Sequence, residues 1–303
     1  MTSWFENLWS GLRYFFLFPI FSLLPPPLPY LLVRSLSRLE YRYHPARRES
    51  IRRGMAQFLK EAPSSKEGLD LATRRYFEVI FCDEMDLFIY LFGFSRRFIR
   101  GIKIEGEENL EEALKKGGGI LLSAHFGGGF WILPFLRERG VRAHFFSADL
   151  KREDFACHMA RYYYLRLRGW AVERASGGKV LYKKEGGEGV ARTLKKREWV
   201  ILLFDVPPFL VRESTEVFFL GRKTGFPRGI ISIAREMNVP LLPFFLFLDE
   251  GKRRRIVFEK PIQVLDEEAC VKKCAALIEE RVTQRPDHWH LWPVANQFFI
   301  KNN

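Results

Sequence analysis

A short apolar run that stops at a histidine and then a glycine cluster sets the terms for this chain. In residues 117–131, read GGGILLSAHFGGGFW, the side chains of Ile120, Leu121, Leu122 and Ala124 predict a buried strand. Gly127, Gly128 and Gly129 follow, and residues without a Cβ let backbone come close to whatever His125 faces. Imidazole titrates near neutral pH, so His125 is the first candidate for chemistry, and the glycines would add amide donors if a helix starts there.

The rest of the chain repeats the same alternation. An alternating strand opens near Arg100, a capped helix runs from Asn109, and further strands are predicted over 143–147, 199–204, 241–248 and 255–258. Helix-length patterns at 154–167, 187–196 and 229–236 separate them, and an amphipathic helix at 267–282 precedes RPDHWHLWP. The expected fold class is therefore α/β, with a mixed, largely parallel sheet covered by helices on both faces. Ahead of it, residues 50–98 read as helical, with a break at 63–68.

Residues 14–33 carry no charge and are long enough on paper to cross a bilayer. Pro19, Pro25, Pro26, Pro27 and Pro29 argue against one straight helix, because the freed backbone groups would have no water to bond. The reading is a helix from about Trp4 to Phe18, a bend, and a second helix from Pro29, lying in one leaflet with Trp4, Trp9 and Tyr14 near the headgroups. Glu6 in place of a basic start, and no small-residue cleavage site, make it a retained anchor rather than a signal peptide. Arg34, Arg38, Arg42, His44, Arg47, Arg48, Arg52 and Arg53 follow, a basic flank suited either to an anionic membrane surface or to a solvated helix face. The expected division is a membrane-anchoring segment and its flank at 1–48, a helical region at 49–99, and the α/β core at 100–303.

A formal net charge of +13 favours a polyanionic partner, and an aromatic share of 15% tilts the choice toward a membrane and away from nucleic acid, for which no motif is present. The four cysteines lack paired CxxC spacing, which fits a reducing compartment. Cys270 and Cys274 stand i, i+4 with no second ligand pair, so packed thiols are expected and no metal.

The segment ILLSAHFG, with GEENL and a helix before it, resembles the histidine-x4-acid motif of the lipid A late acyltransferases, within the lysophospholipid and glycerophosphate acyltransferase superfamily. The resemblance continues through LRLRG at 165–169, VILLFDVP at 200–207, VFFLGRKTGFPRG at 217–229, AREMNVPLLPFF from Ala234 and RPDHWHLW from Arg285. It departs at two places: Phe130 stands at the motif's acid position, and Pro207 where a second acid often lies.

What the resemblance implies is transfer of a fatty acyl group from an acyl carrier protein or coenzyme A thioester to a lipid or glycolipid hydroxyl, without cofactor, at the cytoplasmic face of a bacterial inner membrane. His125 would be the general base. Arg166 or Arg168 would match the active-site arginine, and Asp205, ending a buried strand, would support one of them or replace the missing acid. Gly127, Gly128, Gly129 and Phe130 would line the substrate. Arg222, Lys223 and Arg228, in a loop at 217–229, would face a phosphorylated headgroup or acidic carrier. Loss of an orienting acid reduces rate by about 10²- to 10⁴-fold unless another loop supplies one, with Asp149 and Asp205 as candidates. A rewired enzyme, a histidine-only catalyst and an inactive lipid-binding or membrane-assembly relative all stay open at this level.

Overall fold

Strands with no solvent-facing side form the middle of the sheet. In the computed structural model, which describes residues 2–25, 27–59, 66–249 and 253–299, these are β2 (Gly119–Ser123), β5 (Trp199–Leu203) and β8 (Leu241–Leu248), buried along nearly their whole length. Adding β1 (Lys103–Glu105), β3 (Ala143–Ser147), β4 (Gly177–Tyr182) and β9 (Arg254–Phe258) gives a seven-stranded sheet in the order β1-β9-β8-β2-β5-β3-β4. Every pairing is parallel except β8 with β9. This is the mixed, largely parallel sheet that the alternation predicts.

Side chains alternate across the sheet into two cores. Ile120, Leu122, Val200 and Leu202 meet α10 (Gly186–Lys195), α11 (Gly229–Glu236) and α12 (Glu267–Gln284) on one face. Leu121, Ile201, Leu242 and Phe244 meet α7 (Glu107–Leu114), α8 (Ile132–Glu138), α9 (Met159–Ser176) and the N-terminal helices on the other. A strand buried on both faces cannot alternate polar with apolar, which is why these runs read as continuous.

Three differences from the sequence reading have local causes. The helix expected at 154–167 begins at Met159, because a 3₁₀ turn, Arg152–Phe155, takes up the preceding residues. Strand β4 follows α9 directly through Gly177 in the left-handed region, with no turn-rich linker to announce it. The segment read as a loop at 217–229 is mostly a hairpin of β6 (Ser214–Phe219) and β7 (Arg222–Pro227), and its burial alternates strictly in β6.

The N-terminal helices are packed rather than free. α1 (Thr2–Leu12) runs through a π turn, Arg13–Leu17, into α2 (Phe18–Ser22), where the Phe18 N–H reaches back to the Arg13 carbonyl. That widened turn makes room for Pro19, whose ring would otherwise strike the Phe15 carbonyl, so the helix survives a proline expected to end it. The chain then bends through the prolines, Pro26 lying outside the described residues, and α3 (Leu28–Tyr43) returns beside α5 (Lys66–Leu91). Tyr14, Phe18, Tyr30 and Val33 enter the second core. The opposite face leaves Trp4 (72% exposed), Phe5, Leu8, Phe16, Ile20, Leu23 and Leu31 in the open. Among the described residues no helix is long and apolar enough to cross a membrane.

α4 (Pro45–Phe58) runs across residue 48, so the anchor and the helical region after it share one layer. Much of the basic flank serves that layer: Arg47 and His44 reach Glu40, Arg34 reaches Glu78, and Arg52 and Arg53 share Glu49. Pro63 of the expected helix break also lies outside the described residues. α6 (Ser95–Arg100) leads into β1.

Candidate active site

Two neighbouring strands run out at one level and deliver a reacting pair. β2 and β5 stay in register from Gly119 opposite Trp199 to Ser123 opposite Leu203, and the Phe204 N–H then donates to the Ser123 carbonyl at 2.7 Å. Two residues beyond each strand stand His125 and Asp205. The Asp205 carboxylate accepts the His125 backbone N–H with both oxygens, at 3.0 and 2.9 Å, and faces His125 Nδ1 at 2.9 Å. Its Oδ2 also accepts the Trp289 indole N–H at 2.8 Å.

An ionised carboxylate only accepts, so Nδ1 carries the ring proton and Nε2 keeps its lone pair. Asp205 is fully buried, whereas the His125 side chain is 39% exposed, which leaves the ring held on one side and open on the other. Burial lowers the His125 pKa, but the Asp205 charge and hydrogen bond together outweigh it and the net shift is upward. A carboxylate from the next strand thus faces Nδ1, with Phe130 at the motif's acid position.

The closing segment locks this turn. Phe126 pairs antiparallel with Trp289, the Gly127 N–H donates to the His288 carbonyl at 2.8 Å, and the His290 N–H donates to the His125 carbonyl at 2.8 Å. Gly127 has φ +62°, and a Cβ there would fall 1.8 Å from the Leu246 carbonyl oxygen, so no other residue fits. Gly127 is thus engaged, while among the described residues the amides of Gly128 and Gly129 make no backbone bond, at the start of the 3₁₀ turn Gly129–Trp131 that leads into α8.

Phe130, at the motif's acid position, is buried against Tyr90 at 5.3 Å between ring centroids, with the Arg168 guanidinium 5.8 Å over its ring. Arg168 also pairs with Asp83 of α5 at 2.9 Å and donates to the Tyr164 hydroxyl. The His290 ring lies within electrostatic reach of Asp83, His125 and Arg168. Burial drives its pKa down to about 4, Asp83 opposing and the cationic neighbours reinforcing, and its Nε2 is enclosed without a hydrogen-bond partner among the described residues.

Other residues singled out in the sequence stand elsewhere. Arg166 is on the outward side of α9, over the Tyr162 ring, and it is Arg168 that faces the site. Asp149 accepts from the Lys184 N–H and is no partner of His125. Arg222 lies over the Phe58 and Phe299 rings, Lys223 pairs with Glu216, and Arg228 pairs with Glu267, so the hairpin cations are engaged within the fold. Cys270 and Cys274 are buried, and among the described residues no group of side chains has the make-up of a metal site.

Trp289, Asp83 and His290 were not picked out from the sequence as site residues. The pairing of His125 with Asp205 did carry a signal: ILLSAH and VILLFD are two apolar runs of equal length that end on the two reacting residues, as in-register parallel neighbours would. Nothing local to α5 announces Asp83.

An open imidazole held by a buried carboxylate, at the C-terminal edge of a mostly parallel sheet, is an arrangement suited to general-base chemistry. Residues 155–293 match the family model of bacterial lipid A biosynthesis acyltransferases, which bears out the resemblance drawn from the sequence. That span holds Arg168, Asp205, Trp289 and His290. The crystal structure of the 1-acyl-sn-glycerophosphate acyltransferase PlsC from Thermotoga maritima aligns over 93% of this chain and 97% of that one, at 14% identity and a TM-score of 0.37. No curated protein matches the chain.

Proposed function

We propose that this protein is a membrane-associated O-acyltransferase that moves a fatty acyl group from an acyl carrier protein or coenzyme A thioester to the hydroxyl of a lipid or glycolipid. The observation that carries the reading is the contact between Asp205 and His125 Nδ1. His125 Nε2 takes the proton of the acceptor hydroxyl as its oxygen attacks the thioester carbonyl carbon. The carbonyl electron pair moves onto oxygen, where the Gly128 and Gly129 amides would donate. Collapse breaks the carbon–sulfur bond, and the departing thiolate takes the proton back from the imidazolium. Asp205 stabilises that imidazolium without being protonated itself.

Membrane association at the cytoplasmic face of an inner membrane belongs to the same reading, supported by the exposed apolar face of α1 to α3 and the positive net charge. Purified protein given a panel of acyl thioesters and phosphorylated glycolipid or lysolipid acceptors should form acyl ester, and His125→Ala should abolish it. Equal, background-level transfer by both proteins with lipid binding intact would instead identify an inactive lipid-binding relative.

A further inference from the structure

We propose that the outward face of α9 is a second membrane contact, a stripe of aromatic and arginine side chains that lies in the headgroup layer of an anionic bilayer beside α1. This rests on the membrane-associated reading above and adds a surface outside the N-terminal segment. Tyr163 and Trp170 are 48% and 51% exposed although both rings are large, and Arg166 and Arg174 are exposed between and after them. Spacings of three and four residues align these positions along one side of a helix.

The composition fits an interface rather than water or hydrocarbon. Tyrosine and tryptophan have an apolar body with a polar tip, and arginine can lay its stem on apolar surface while its head meets phosphate. Arg174 already sits over the Trp170 ring at 5.5 Å, which keeps the cation beside the aromatic.

Continuity with the anchor supplies the orientation. The Asn7 side chain accepts the Ala160 N–H at 2.9 Å, so α1 caps the start of α9, and Tyr14 stacks on Tyr164 at 4.2 Å between centroids. Tyr163 is therefore next to residues that touch α1, whose far side carries exposed Trp4, Phe5 and Leu8. The opposite side of α9 presents Arg168 to Phe130 and Asp83. One helix thus turns one face outward and presents the other to the residues around the site.

Sedimentation of the full chain with vesicles of 1-palmitoyl-2-oleoyl phosphatidylethanolamine and phosphatidylglycerol tests this. Tyr163→Ser with Trp170→Ser should lower the partition coefficient about tenfold or more. Arg166→Glu with Arg174→Glu should lower it by about 10²-fold on these vesicles and far less on neutral phosphatidylcholine vesicles. Brominated lipid should quench wild-type fluorescence more than that of Trp170→Phe. Tyr163, Arg166 and Trp170 are exposed, so unchanged thermal midpoints are expected for changes there, whereas Arg174 also hydrogen-bonds Tyr90 and the arginine double variant is compared at its own midpoint. Wild-type partition in both stripe variants, with anchor variants still impaired, would overturn the α9 contact alone. Loss of acyl carrier protein binding with vesicle binding intact would overturn it in favour of a protein partner, and wild-type protein that stays in the supernatant would overturn the membrane reading with it.

Discussion

Asp205 holds His125 at two points, taking both its backbone N–H and its ring Nδ1, so one buried carboxylate fixes the turn and the tautomer together. Nδ1 therefore has its partner without an acid at position 130, since an imidazole has only one Nδ1 to orient.

Asp205→Asn should lower kcat/KM by about 10²- to 10⁴-fold. The base must be neutral, so activity rises with pH through the His125 pKa, which Asp205 holds above its ordinary value. Removing the charge should also move that acid limb to lower pH. A pH profile of kcat/KM for both proteins checks the amplitude and the direction.

Phe130→Glu should not raise activity. Phe130 is buried among Tyr90, Trp131 and Arg168, so losing its ring costs about 3 kcal/mol or more, and the new carboxylate meets an arginine already paired with Asp83. Acyl transfer beside urea denaturation would show it; faster turnover would mean that the acid position still matters.

Asp86 of α5 pairs with Arg254 of β9 and accepts the Tyr30 hydroxyl at 2.8 Å, all three enclosed beneath Gly128. Asp86→Ala should cost about 3–5 kcal/mol by leaving a buried guanidinium unpaired. Asp86→Leu with Arg254→Met should cost clearly less, as equilibrium unfolding of the two variants would measure.

Acid should weaken the fold through the closing segment. Burial holds His288 and His290 below the ordinary histidine value, His290 at about 4. Below pH 6.5 the unfolded chain takes up protons that the folded chain refuses, so stability falls until the pH reaches the folded values. His125 acts oppositely, its raised pKa adding stability that is full below 6.5 and lost as pH rises through the folded value. Between pH 7.5 and 4.5, His290→Gln should reduce the stability loss by roughly 2 kcal/mol in denaturant titrations.

Phe16→Ser with Ile20→Ser should lower partition into vesicles at least tenfold while leaving the folded core intact, because both side chains are exposed where their neighbours Tyr14 and Phe18 are buried. Flotation on a sucrose gradient reads the change directly.

The continuous apolar runs at Ile120, Val200 and Leu241 determined the sheet by themselves, since strands hidden on both faces need no polar alternation and leave a strong local trace. The hairpin at 214–227 and the packed N-terminal helices left less: alternation in β6 was masked by the basic residues of its partner, and Pro19 stayed helical through a π turn that no local signal announces. His125 was legible because its glycines are demanded by backbone crowding within a few residues. Its acid was legible only as one of two candidates, because a carboxylate 80 positions away becomes a neighbour only when two parallel strands fall into register. Asp83 and Arg168 stand 85 positions apart, and Asn7 of α1 and Ala160 of α9 stand 153 apart, so charge, burial and exposed aromatic surface at those contacts exist only once the chain has folded.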